Sequence, residues 1–189
     1  MEHLKIDEKV LDQLRPLPSP QLIGVSGVGG AGKSSWANLL GNTLSIPVIG
    51  VDSFQKSGAF DLDYSVWEIM DFSRLEKEVL QPFTEKQTVR YGHYNVPSNS
   101  ISKIVEIPYT GKLIVEGVGL FRPELIKYFT FKIWIDCPVE VAIARGKKRD
   151  REEYNNPTDT YWDGVWKKND TQYIQQFDPK SKADLIINN

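Results

Sequence analysis

Eight consecutive residues, Gly27-Val28-Gly29-Gly30-Ala31-Gly32-Lys33-Ser34, combine four glycines with a lysine and a hydroxyl. Glycine lets the backbone take left-handed turns, so successive N–H groups can point to one side and surround an anion. The lysine adds a positive charge on a flexible stem, and the serine offers a neutral oxygen to a cation. The spacing is that of G-x-x-x-x-G-K-[ST], a phosphate-binding P-loop. It places a nucleotide against Gly27, Gly29, Gly30, Ala31, Gly32, Lys33, Ser34 and Ser35. Lys33 is expected at the β- and γ-phosphates, and the Ser34 hydroxyl on Mg²⁺.

Two acids end apolar runs. Pro47-Val48-Ile49-Gly50-Val51 leads into Asp52-Ser53-Phe54, and Lys112-Leu113-Ile114-Val115 leads into Glu116. In open α/β sheets, ligands bind beyond the carboxyl ends of the strands. A carboxylate at position 52 can accept the proton of a substrate hydroxyl; the other role for it is a cap or turn residue. Glu116 suits a Mg²⁺ or Mg²⁺-water contact beside Ser34, the alternative being a capping carboxylate. Further on, Arg145, Lys147, Lys148, Arg149 and Arg151 cluster on one predicted helix. They form either a solvated face paired with Asp150, Glu152 and Glu153, or a lid that closes guanidinium groups over a γ-phosphate.

These residues need a scaffold, and the hydrophobic pattern supplies one. Leu22-Ile23-Gly24-Val25-Ser26 reads as a buried strand before the P-loop, and Trp36, Leu39, Leu40 and Leu44 follow at helical spacing. Buried strands are also expected over 47–51, 112–116, 131–136 and 183–188. A helix is expected from Asp71 to Leu80, closed by Pro82, with Phe72, Leu75, Val79 and Leu80 inward. Residues 88–94 and 102–107 alternate like a strand pair. The interval 53–111 is long and rich in aromatic and acidic residues, which suggests an acceptor-binding flap. His93, in that interval, lacks metal-ligand partners and reads as a surface or packed histidine. The aromatic set within 160–177 reads as core on one or two helices. Residues 1–15 suggest a helix lying on the domain surface, followed by the stiff linker Arg15-Pro16-Leu17-Pro18-Ser19-Pro20. Strands alternating with helices mean a parallel sheet covered by helices.

The chain has 189 residues, 40% hydrophobic and 25% charged, with a formal net charge of -2. That length suits one α/β domain, and the charge does not suit a general nucleic-acid binder. A single cysteine, Cys137, cannot form an internal disulfide. With no apolar signal core and no membrane-length apolar run, the expectation is a cytoplasmic protein. No Asn-Lys-x-Asp motif specifies guanine, which weighs against a GTPase switch, as does the long insert.

The ordered set of motifs resembles the uridine kinase and phosphoribulokinase family of P-loop kinases. The matching pieces are the P-loop, Asp52-Ser53-Phe54, Val115-Glu116-Gly117-Val118, Ile133-Trp134-Ile135-Asp136, Ala144-Arg145-Gly146-Lys147-Lys148-Arg149-Asp150 and Ala183-Asp184-Leu185-Ile186-Ile187, spanning 21–188. The resemblance implies an α/β P-loop NTPase fold with a five-stranded parallel sheet of order 2-3-1-4-5. It implies ATP and Mg²⁺ as cofactors and a small-molecule hydroxyl as acceptor, with no nucleic acid or membrane partner. Residues 1–189 would be one kinase domain, with an N-terminal helix and linker at 1–20, an acceptor insert at 53–111 and a lid at 139–160. Carried over by position, Asp52, Lys33 and Arg149 would be catalytic, and Ser34 and Glu116 would hold the metal. Asp52, Phe54, Glu68, Tyr94 and Arg145 would contact the acceptor. The sequence departs from the family at Ile69-Met70, where a His-Pro is usual, at Asn95 and Asn99 in the hairpin, and at Gly146, which replaces a lid arginine. The implied activity is an ATP-dependent kinase of a nucleoside such as uridine or cytidine. The alternatives are another small alcohol, such as a sugar phosphate or pantothenate, or a nucleotide-binding regulatory protein without transfer activity.

Overall fold

The computed structural model describes residues 6–56, 63–95, 98–156 and 158–189. Parts of the expected N-terminal stretch (1–5), insert (57–62 and 96–97) and lid (157) lie outside the described residues. Helix α1 (Glu8–Leu14) starts at Asp7, whose carboxylate accepts Lys9 N–H, and it turns Val10, Leu11 and Leu14 into the core. Strand β1 (Gln21–Gly27) is buried along all seven residues, as a central parallel strand covered on both faces must be. The P-loop follows, then α2 (Lys33–Leu44), β2 (Val48–Gly50) and a tight turn over Val51–Phe54. The insert supplies α3 (Phe72–Leu75), α4 (Gln81–Thr84) and the antiparallel hairpin of β3 (Val89–Asn95) and β4 (Ser100–Ile107). Next come β5 (Lys112–Glu116), α5 (Pro123–Ile126), β6 (Phe131–Asp136) and α6 (Val139–Glu152). The chain finishes with α7 (Asp159–Tyr161), a widened turn over Trp162–Trp166, α8 (Lys167–Phe177) and β7 (Leu185–Asn188).

The main sheet runs β2-β5-β1-β6-β7 with every pair parallel. With the β3–β4 hairpin set apart, this is the expected order 2-3-1-4-5. The carboxyl ends of β1, β2 and β5 therefore lie side by side. Register makes this concrete: Glu116 pairs with Val25 on one side and with Gly50 on the other. Among the described residues, no helix is long and apolar enough to cross a membrane.

One expected boundary is wrong. Pro82 does not close the helix that begins at Phe72; the helix runs through it into α4. A proline inside a helix clashes with the carbonyl four residues back and lacks an N–H. Here the turn Glu76–Leu80 is widened, and Gln81 N–H bonds to Glu76 O, five residues back. The shifted ladder leaves room for the ring. The inward set is as read: Phe72, Leu75, Val79 and Leu80 are all buried, and Phe83 joins them.

Candidate active site

β1 delivers the P-loop and α2 continues from it, so the loop lies at the helix N-terminus. Gly30 has φ +77°, and a Cβ there would stand 2.1 Å from the Ala142 carbonyl oxygen of α6. Only glycine fits both conditions. Lys33 is buried and folds back over the loop, its Nζ donating to Val28 O at 2.8 Å. Ser34 Oγ donates to Glu116 Oε1 at 3.0 Å.

Glu116 sits at the tip of β5 with 8% of its surface exposed. Burial, and after it the charge of Asp52, push its carboxyl up to about 7 against the opposing pull of Lys33 and Ser34. Asp52 is exposed in the turn just past β2, near enough for that charge to be felt. The fold thus gathers Lys33, Ser34, Glu116 and Asp52 at one end of the sheet. Two acids, a hydroxyl and an ammonium group beside a glycine-rich loop can hold a phosphate chain and its cation. Among the described residues, no three His, Cys, Asp or Glu side chains form a metal cage. The Ser34–Glu116 pair fits a cation that shares its shell with phosphate oxygens and water.

The other predicted residues lie further out. Phe54 is fully buried, its ring stacked on Tyr91 at 5.2 Å between centroids and the Arg74 guanidinium 5.0 Å from its own centroid. It packs behind the site rather than lining it. Glu68 is exposed, and its charge reaches the buried Arg122. Tyr94 is buried, its hydroxyl donating to Asn99 Oδ1 at 2.6 Å across the hairpin tip. Ile69 and Met70 are both in the core. His93 is half-buried with Nδ1 2.9 Å from Ser53 Oγ, one residue from Asp52. It is packed against the turn that carries the acid. Gly27, Ala31, Gly32 and Ser35 keep their places in the loop and the first turn of α2.

On α6, Arg145 is exposed with Nη1 3.7 Å from Cys137 Sγ. Arg149 is exposed, bonds to Asp150 Oδ1 at 2.8 Å and lies 5.1 Å over the Tyr154 ring. The ion pairs of this basic helix are in part those expected, at Asp150 and Glu152, and in part not. Lys147 pairs with Asp163 and Arg151 with Asp159, both beyond the helix, while Asp150 takes Arg149 and Glu152 takes Lys148. Burial works to raise the Asp150 carboxyl, but donors on Thr158, Trp162 and Arg149 outweigh it and hold the group below its usual range.

Sequence reasoning missed a layer over the P-loop. The Trp162 indole lies on Gly146, where a Cβ would meet it at 2.2 Å, and its Nε1 donates to Asp150 Oδ2 at 2.8 Å. The glycine that replaces a lid arginine is thus the floor for a tryptophan. Asn189 Nδ2 donates to Ala31 O at 2.7 Å. Asp170, nearly fully buried on α8, accepts Gly29 N–H at 2.9 Å. The one signal for Asp170 in the sequence is an Asn-Asp pair among aromatic residues read as core.

No family model matches the chain. A uridine kinase of Clostridium novyi (strain NT) is 29% identical over 183 residues, covering 89% of this chain and 86% of that protein. A possible uridine kinase from Bacillus stearothermophilus superposes with TM-score 0.74, 17% identity and coverage of 95% and 96%. A Silicibacter sp. TM1040 protein, provisionally named a fructose transport system kinase, superposes with TM-score 0.76, 22% identity and the same coverage. The two solved structures establish the fold, and the sequence relative spans almost the same length as this chain. With the P-loop, the sheet order and these relatives together, the chain has the P-loop kinase fold and resembles the uridine kinase and phosphoribulokinase branch.

Proposed function

We propose that the chain transfers the γ-phosphoryl group of ATP to a hydroxyl of a small molecule, a nucleoside such as uridine or cytidine. The observation that carries this reading is the placement of Asp52 beside Glu116, Ser34 and Lys33 at the carboxyl ends of adjacent strands. ATP and Mg²⁺, when bound, supply the transferable group and part of the charge neutralisation. The chain does the rest. Gly27, Gly29, Gly30, Ala31, Gly32 and Ser35 surround the phosphates, and Lys33 leaves Val28 O to meet them. Ser34 and Glu116 hold the cation, Glu116 directly or through water. Asp52 orients the acceptor hydroxyl and takes its proton as the new P–O bond forms. Glu68 and Tyr94 hold the acceptor from the insert side.

A screen of ATP consumption over nucleosides, sugar phosphates and vitamin alcohols tests this. Turnover with uridine or cytidine supports the nucleoside reading. A second reading, another small alcohol, draws support from the acceptor side. There Ile69 and Met70 are core residues in place of a His-Pro, and Asn99 holds the Tyr94 hydroxyl. Silence across the whole screen, with ATP bound, would favour a regulatory protein without transfer activity.

Two predictions belong to the metal and the lid. Chelation by EDTA should abolish transfer and added Mg²⁺ should restore it; transfer that continues in excess EDTA would remove Ser34 and Glu116 from the metal role. Arg149→Ala should lower kcat by about tenfold while changing ATP affinity less, because the guanidinium reaches the phosphates only after leaving Asp150 and Tyr154. Unchanged kcat and affinity would make the basic helix a solvated face.

A further inference from the structure

Asp170 is 1% exposed, and its two oxygens bridge two distant parts of the chain. Oδ2 accepts Gly29 N–H at 2.9 Å, and Oδ1 accepts the Trp67 indole N–H at 2.9 Å. Its neighbour Asn169 is fully buried, donates to the carbonyls of Tyr64 and Val165, and accepts Trp67 N–H. Together the two residues fasten the segment 64–67, which leads into Glu68, onto the P-loop. That segment is held in a shape side chains rarely adopt, with φ +50° at Val66 and +62° at Trp67.

Keeping a carboxylate here is costly. Burial pushes the Asp170 carboxyl up to about 6, against the charge of Lys33 and the N–H groups of Gly29 and Trp67. Gly29 N–H and Lys33 are also the groups a phosphate would use. Val28, next to Gly29, accepts Lys33 Nζ, so the Gly29 amide lies at the lysine end of the loop. That end serves the β- and γ-phosphates.

We propose that Asp170 is a positioning residue that holds the place of a nucleotide phosphate, so that a nucleoside triphosphate must displace its carboxylate from Gly29 and thereby loosens its hold on the Trp67 indole, while Asn169 keeps the backbone of the segment 64–67 in place. The inference rests on the ATP reading above. Two anions that compete for one N–H and one lysine repel each other. A triphosphate brings more negative charge to that end of the loop than a diphosphate does. Asp170 therefore opposes ATP more than ADP.

Calorimetric titration of the full chain with Mg²⁺-ATP and with Mg²⁺-ADP, wild type against Asp170→Asn, tests this. The amide keeps the shape and drops the charge. ATP affinity should rise by about tenfold, and ADP affinity by less than about threefold. A purely structural aspartate would instead make both affinities fall together; that result, or an unchanged ratio of the two, overturns the proposal. Failure of the wild type to bind ATP at all overturns the ATP reading and the inference with it. Should Asp170→Asn not fold, Trp67→Phe removes one donor to the carboxylate and should shift the ATP-to-ADP ratio in the same direction. An unshifted ratio in Trp67→Phe then overturns the proposal.

Discussion

Asp52→Asn is expected to bind ATP as the wild type does and to phosphorylate its acceptor at least about a hundredfold more slowly. A hydroxyl is a poor nucleophile at neutral pH and must lose its proton as the P–O bond forms. The amide keeps the size of the carboxylate and some of its hydrogen bonding, but it cannot take a proton. Its position makes the separation of binding from chemistry clean. Asp52 is exposed in the turn after β2, whereas the phosphate-binding groups lie on the loop after β1. ATP affinity and transfer rate, measured on one preparation with the acceptor found by the screen, decide the matter. Normal affinity with normal transfer would leave Asp52 a turn residue. His93, bonded to the neighbouring Ser53, would then be the first place to look for a base.

Lys33→Ala should cost about a hundredfold to a thousandfold in transfer rate, since it deletes a fixed positive charge beside the group being transferred. The buried setting sharpens the effect. Lys33 is 7% exposed, and its charge bears on both Glu116 and Asp170. Alanine leaves two buried acids without their shared counter-charge, so the variant should also melt at a lower temperature than the wild type. A transfer rate equal to that of the wild type would refute the P-loop assignment of this lysine.

The parts of this site that a reader of the sequence can find are the parts written in consecutive residues. The P-loop is one uninterrupted motif, and Glu116 announces itself by ending an apolar strand. The strand order follows from the alternation of elements together with the family resemblance. What stays hidden is set by packing between distant segments. Nothing near Gly146 says that Trp162 will lie on it, and nothing near Gly29 says that Asp170 will reach it. Phe54 looked like a site residue from its place beside Asp52, yet the turn over Val51–Phe54 points it into the core. Pro82 looked like a helix stop because the rule assumes an unshifted ladder, and the widened turn before it removes that assumption.

The two bonds of Asp170 also bear on how the protein comes to be competent. Gly29 and Asp170 are 141 residues apart in the chain, and Trp67 and Asp170 are 103 apart. Closing loops of that length is paid in chain entropy before the contacts return anything, so such contacts come late in folding. Helix α2 can form from neighbouring residues, but the covered P-loop exists only once α8 has docked. The Asp170 cover on Gly29 is thus a property of the finished fold, and a nascent chain that has made its P-loop has not yet made the loop as it stands here.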